Sequence, residues 1–118
     1  MKLTKARRMK TWGEFQAARQ ARNSRGGRFV VVSAVVAAER KFGFITSRKV
    51  GKAVVRNRVR RRLREIARKW GDALVPGMHV VTIARYTAGD APLAELERDW
   101  VKQAKRLGIW RGEGGEGA

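Results

Sequence analysis

Residues Lys49–Trp70 read "KVGKAVVRNRVRRRLREIARKW", ten basic side chains and one acid in one run. Counted from Val55 at about 100° per residue, Val55, Val59, Leu63, Ile66, Ala67 and Trp70 share one arc of a helix. Asn57, Arg60, Arg61, Arg64 and Arg68 fall on the opposite arc. Arg62 lies near the edge of the apolar stripe, where its stem can snorkel to solvent, and Arg58 lies farther round. The apolar stripe must face a sheet, so the guanidinium stripe faces outward over three turns. Like charges at this spacing repel by a few tenths of a kcal/mol per pair. Such a stripe calls for a polyanionic partner or a counterion cloud.

Strands flank this helix. "RFVVVSAVV" is rich in β-branched residues and predicts a strand over Arg28–Val36. Phe29, Val31, Ser33 and Val35 would share one face, and Val30, Val32, Ala34 and Val36 the other. Both faces are apolar or small, so the strand is either covered on both sides or presents a groove. "KFGFITS" predicts a second strand over Lys41–Ser47, antiparallel to the first because the connection is short. Gly43 inside it suggests a bulge or a close approach by another chain. "MHVVTIAR" gives a third strand, Met78–Arg85. Beyond Pro92, Leu93, Leu96, Trp100, Ala104 and Leu107 recur at helical intervals, and Gly108 ends that helix.

Toward the N-terminus, residues 1–10 read as a basic arm. Thr11 and Glu14 have capping-box spacing for a helix from Trp12 to about Gln20, and "NSRGG" (Asn23–Gly27) reads as a turn. The glycine-rich end, residues 109–118, reads as a flexible tail. Residues 11–108 then form a single domain in the order α-β-β-α-β-α, a two-layer α/β (α+β) sandwich with three or four strands.

Across 118 residues the formal charge is +18, and it is unevenly spread. Residues 1–70 carry 22 basic and 3 acidic side chains, whereas residues 71–118 carry 6 and 7. That asymmetry fits a nucleic acid. An anionic membrane fits less well, because the basic helix lacks a bulky aromatic face. There is no cysteine, hence no disulfide, thiolate nucleophile or Cys-ligated zinc. No apolar run is long enough to span a membrane and no apolar stretch follows the basic start, so a cytoplasmic protein is the default.

Hydrolysis by this chain alone has little to work with. His79 is the only histidine, and Asp72, Asp90 and Asp99 are scattered without a paired or metal-ligating pattern. "VGKAVV" lacks the glycine spacing of a phosphate-binding loop. RNA contact does have residues: the arginine stripe offers forked, charge-assisted bonds to phosphate, and Arg28, Arg48, Lys49 and Lys52 frame the strand-to-helix transitions. Asn57, amid arginines in a helix, is either a contact residue or a solvated one. Phe15, Phe29, Phe42, Phe44 and Tyr86 are the aromatics available for base stacking or for the core.

At "KVGKAVVRNRVRRRLREI" the sequence resembles the protein-subunit family of bacterial ribonuclease P. The family signature, K-x-G-x-A-V-x-R-N-R-x-[KR]-R, is matched here by Lys49, Gly51, Ala53, Val54, Arg56, Asn57, Arg58, Arg60 and Arg61. Weaker likenesses in "RRMKTWGEFQ", "RFVVV", "FGFITSRKVG" and "VVTIAR" extend the match over roughly residues 5 to 108.

The resemblance implies a ribosomal-protein-like fold with a left-handed β-α-β crossover. It implies a holoenzyme in which a catalytic RNA, with magnesium bound mainly by that RNA, removes the 5′ leader of precursor tRNA. The partners are then the ribonuclease P RNA and precursor tRNA, with no membrane and no obligate protein partner. By the same likeness Arg56, Asn57, Arg58, Arg60 and Arg61 would bind the catalytic RNA, and the charge pattern adds Arg48, Lys49, Lys52, Arg64 and Arg68. The likeness places Phe15, Val30, Val32 and Arg85 in the leader cleft, and Arg19, one helical turn after Phe15 on the same face, is expected to follow the leader backbone. No catalytic or metal-binding residue is expected in the protein.

Arg19 and Val32 stand where the family commonly has aromatics, which shifts the expected leader contact from stacking toward charge. A structural or ribosomal RNA-binding protein with no part in cleavage would share the composition, and remains the alternative reading.

Overall fold

The structure, a computed structural model, describes residues 24–112. The expected N-terminal arm, the helix from Trp12 to about Gln20, Phe15, Arg19 and residues 113–118 lie outside them. Four strands form one sheet: β1 (Ser24–Gly26), β2 (Val30–Val36), β3 (Lys41–Ile45) and β4 (Met78–Ala84). Among the described residues two α-helices, α1 (Ala53–Trp70) and α2 (Leu93–Leu107), join the sheet in a mixed α+β architecture. Among the described residues no helix is long and apolar enough to cross a membrane.

The strands lie in the order β1-β2-β4-β3, with β4 antiparallel to β2 and parallel to β3. The expected antiparallel pair of β2 and β3 is therefore corrected: the two run in opposite directions, but β4 lies between them. β4 carries Val80, Thr82 and Ala84 on one face and Val81 and Ile83 on the other, and a strand apolar on both faces is stable only inside a sheet. The link from β2 to β3 must then cross two strand spacings, about 10 Å. Residues 37–40 span that at about 3.3 Å each. On the way, the Ala37 N–H donates to the Gly77 carbonyl at 2.9 Å, just ahead of β4. A short connection fixes the reversal of direction, not the neighbour. The chain from β3 through α1 to β4 makes the parallel crossover.

Two local readings also change. The stretch Asn23–Gly27, read as a turn, contains β1, whose Ser24, Arg25 and Gly26 pair with Ser33, Val32 and Val31. The reversal falls two residues later, closed by the Gly27 N–H on the Val30 carbonyl at 2.8 Å. Arg28 and Phe29 consequently sit in the bend rather than in β2, and Phe29 turns into the core. At Gly43 the register runs unbroken opposite Val81, so the expected bulge is absent.

Both helices cover the face carrying Val32, Thr82 and Phe44. This is shown directly by Trp100 of α2, buried, whose Nε1 donates to Thr82 Oγ1 at 2.8 Å. Val59, Leu63, Ile66 and Ala67 of α1 and Leu96, Trp100 and Ala104 of α2 meet Val30, Val32, Ala34, Phe42 and Val80 in one core. Val55 and Trp70 pack half-buried at its edge, as the helical stripe predicts. The opposite face carries the rows Val31–Ile83–Ile45 and Ser33–Val81–Gly43.

α2 stops before Gly108, as its periodicity predicts, but the chain stays attached. Val75 N–H donates to the Ile109 carbonyl at 2.8 Å and Arg111 N–H to the Ala73 carbonyl at 2.6 Å. Trp110 lies 5.7 Å from Trp70, ring to ring. The flexible tail expected from residue 109 therefore does not begin there: Ile109 is buried.

Between the helices, Lys69 Nζ and Trp70 Nε1 of α1 donate to Glu97 Oε2 of α2 at 3.0 and 2.8 Å. Burial pushes the Glu97 carboxyl up, but the hydrogen bonds from Trp70 and Lys69 and the Lys69 charge outweigh it and hold its pKa below the ordinary value. A carboxyl depressed in the folded state stabilises fully above its unfolded pKa, and that contribution is lost as pH falls through the folded value.

Leu63→Ala is expected to cost ~2–5 kcal/mol, measured by urea unfolding. A loss under ~0.5 kcal/mol would take the α1 stripe out of the core. In thermal melts between about pH 7 and pH 3, Glu97→Gln is expected to lose less stability than the parent chain. Parallel acid profiles would show that this clamp does not contribute.

Candidate nucleic-acid interface

The segment before α1 is shaped by close packing. Arg48–Val50 forms a single 3-10 turn that buries Val50 and leaves Arg48 and Lys49 exposed. Gly51 follows at φ 150°, a conformation side chains rarely adopt, and a Cβ there would crowd Val55 at 3.0 Å. Lys52, exposed, then leads into the helix. Against this turn packs the loop Tyr86–Asp90, whose Gly89 lies so close that a Cβ would meet the Val50 carbonyl oxygen at 2.7 Å.

On α1 the basic residues separate into three groups. Arg61, Arg64 and Arg68 are exposed on the side away from the core. Arg68 Nη2 donates to Glu65 Oε2 at 2.9 Å along the helix surface, an exposed pair of little energetic weight. Arg60 is half-buried and held: Nη1 donates to Asn57 Oδ1 at 3.1 Å and Nη2 to Thr46 Oγ1 at 2.6 Å. Asn57 is exposed, and its Oδ1 holds the neighbouring guanidinium. Thr46, at the end of β3, had no motif to single it out.

The third group points toward the 86–91 loop. Arg58 Nη2 donates to the Gly89 carbonyl at 3.0 Å, and Arg62 Nη1 to the Ala91 carbonyl at 3.1 Å. Arg58 is half-buried, with its Nε buried and unbonded, so this signature position faces the protein and not the outward stripe. Its place on the helix circumference explains this, since it lies on the side that α1 turns to the loop. Arg62 is half-buried and does not simply snorkel: its head ends on a carbonyl. Arg56 is half-buried as well, with its Nε buried and unbonded.

Of the residues expected in a leader cleft, Phe15 and Arg19 lie outside the described residues, and Val30 and Val32 lie apart from the exposed Arg85. Val30 and Val32 are fully buried on the helix side of β2, in the core with Leu96 and Trp100. No RNA can touch them there. Val31 and Ser33 hold the other face, and because side chains alternate, a one-residue difference decides which face is named. Arg85 is exposed after β4, with Nη1 donating to the Gly27 carbonyl at 2.6 Å. Tyr86 beside it is 67% exposed, which makes it the most accessible aromatic of the described residues. Arg28 lies over the Phe29 ring, 5.1 Å from its centre.

Among the described residues no three His, Cys, Asp or Glu side chains gather as a metal site. The carboxylates serve the fold: Asp72 bonds Arg40 Nη1 at 3.2 Å, and Asp99 accepts the Phe29 and Val30 N–H groups at 2.8 and 3.1 Å. His79 is half-buried on β4, paired in register with Val35 and Lys41. The arrangement presents a basic surface along α1 and the turn before it.

The family model for ribonuclease P matches residues 3–108. The ribonuclease P protein component of Thermus scotoductus is 45% identical over 95 residues, covering 80% of this chain and 56% of that protein. The chain thus spans little more than half the length of that relative. The counterpart in Symbiobacterium thermophilum is 36% identical over 115 residues, 95% of this chain and all of that one. In structure, the chain is similar to a Staphylococcus aureus RNase P protein mutant with defective mRNA degradation activity. The TM-score is 0.82 at 25% identity, over 90% of this chain and 92% of that one.

The three groups of arginines separate experimentally. Arg61→Ala is expected to shift unfolding by no more than ~0.5 kcal/mol. It should lower the salt slope of RNA binding by about one unit if it meets one phosphate. Arg58→Ala is expected to destabilise by ~1–3 kcal/mol, since it strips the Gly89 carbonyl of a charged donor. The reverse pattern in paired unfolding and binding titrations would invert the assignment of faces.

Proposed function

Since the chain belongs to the ribonuclease P protein family, we propose that it is the protein subunit of the ribonuclease P ribonucleoprotein, binding the catalytic RNA and promoting removal of the 5′ leader from precursor tRNA. One observation carries this reading. The signature segment forms an exposed basic surface, with Arg48, Lys49 and Lys52 at its entry and Arg61, Arg64 and Arg68 along α1. Arg60 is preset by Asn57 and Thr46 at its edge. Ordered guanidiniums lose less entropy on meeting phosphate than free ones do.

In this reading the protein supplies binding and position, and the RNA supplies the reacting groups. Magnesium would be held mainly by the RNA. Among the described residues no three acidic, His or Cys side chains gather to hold it. No step of the reaction is assigned to a metal on this chain. For the leader, Arg85 offers an exposed cation at the end of the sheet, and Phe15, by resemblance, and Arg19, by its four-residue spacing from Phe15, remain candidates. A leader held in this way is held chiefly by charge, so its contribution should fade with salt.

The deciding experiment is cleavage of precursor tRNA by the purified chain, by the catalytic RNA, and by both in magnesium. The chain alone is expected to be inactive, and the RNA is expected to cleave faster with it, most clearly at low magnesium. Persistent cleavage by the chain alone, or no stimulation of the RNA, would overturn the proposal. Failure to stimulate, combined with tight binding to unrelated structured RNAs, would favour a purely structural RNA-binding role.

A further inference from the structure

Residues 71–118 carry 6 basic and 7 acidic side chains, and by that sum they add no positive surface. The structure distributes those charges differently. Asp99 is turned inward onto the start of β2 and also accepts from Gln103 Nε2 at 3.0 Å. Glu97 holds Lys69 and Trp70, and Asp72 holds Arg40. Glu95 stands half-buried in the first turn of α2, where a helix favours negative charge.

The cations of α2 are turned the other way. Arg98, Lys102, Lys105 and Arg106 are all exposed, on the side of the helix opposite Leu96, Trp100 and Ala104. Arg106 donates to Gln103 Oε1 at 2.9 Å, and Lys105 lies over the Trp110 ring at 5.1 Å, so both keep their charge uncompensated. Among the described residues none of the four is in a salt bridge.

We propose that this face of α2 is a second RNA-binding track, which takes the phosphate backbone beside the track on α1. The four cations and the Lys69–Glu97 pair line a groove of about 740 Å³ together with Ala94 and Val101, so its uncompensated charge comes from α2. Lys69 stands between the two helices, which pack in one layer with axes about 8–10 Å apart. Two neighbouring basic tracks with a small-residue floor suit a backbone of regularly spaced charges. A membrane would require bulky apolar side chains where Ala94 and Val101 stand. The inference rests on the RNA-binding reading of α1 and extends it to a surface outside the signature.

The test uses the full chain and the ribonuclease P RNA, with affinities measured across a salt series. The variant is Arg98→Ala/Lys102→Ala, two side chains that make no hydrogen bond or ion pair in the described structure. It is compared with Arg61→Ala on α1 and with Arg98→Lys/Lys102→Arg, which keeps the charge. The α2 double variant is expected to bind about tenfold more weakly at low salt, with its salt slope reduced by roughly two units, one per phosphate lost. The charge-keeping variant should retain parental binding, and thermal melts of all three should match the parent. Parental affinity and slope in the double variant, with Arg61→Ala impaired, would overturn the second track alone. Parental binding in both would overturn the RNA-binding reading as well.

Discussion

Burial of four side chains, Val59, Leu63, Ile66 and Ala67, against the sheet is the contact on which the rest of this molecule depends. α1 holds a dense set of like charges that repel one another, and isolated it would gain nothing from those arginines. The apolar stripe offsets this: a fully buried aliphatic side chain contributes roughly 1.5–3 kcal/mol, against a few tenths for each repelling pair. Once that stripe is docked, the direction of every arginine on α1 follows from its angle around the axis. The basic surface is therefore oriented first by core packing, and polar contacts then fix individual side chains.

Within that orientation the guanidiniums do different work. Those opposite the core stay in solvent. Arg60, near the β3 edge, is caught by Thr46 and Asn57. Arg58 and Arg62, on the flank toward the 86–91 loop, end on its carbonyls and tie the loop to the helix. That loop in turn meets the Val50 turn through Gly89, so the exposed Lys49 and Lys52 sit on a segment buttressed from behind. A change at Arg58 would be felt at the interface without Arg58 touching a ligand. Arginine serves both uses because its planar fork satisfies a carbonyl as readily as a phosphate.

The carboxylates show the complementary economy. Asp99 completes the hydrogen bonding of two N–H groups where β2 begins, and Glu97 joins the ends of the two helices. Asp99, turned onto backbone N–H groups, is withdrawn from the outer surface without taking a cation with it, whereas Glu97 offsets Lys69. What a partner meets is the charge on the surface after internal bonds are formed.

Much was legible in the sequence. The 3.6-residue period of α1 and α2, the valine-rich strands, the stop at Gly108 and the signature at Lys49–Arg61 are local patterns, and local geometry dictates which face is apolar. The family, the mixed α+β class and the outward set Arg61, Arg64 and Arg68 all follow from them. Other features depended on residues far apart in the chain. The place of β4 between β2 and β3 was settled by which strand could be buried on both faces. The turn expected at Asn23–Gly27 became β1 because β2 offered a free edge. Val30 and Val32 entered the core because Trp100 claims the Thr82 side of the sheet. Arg58, a signature residue, ends on a carbonyl thirty-one residues away. Periodicity states that a side chain has a face; only tertiary structure, by supplying the partner across that face, decides whether it meets solvent, the core or another part of the chain.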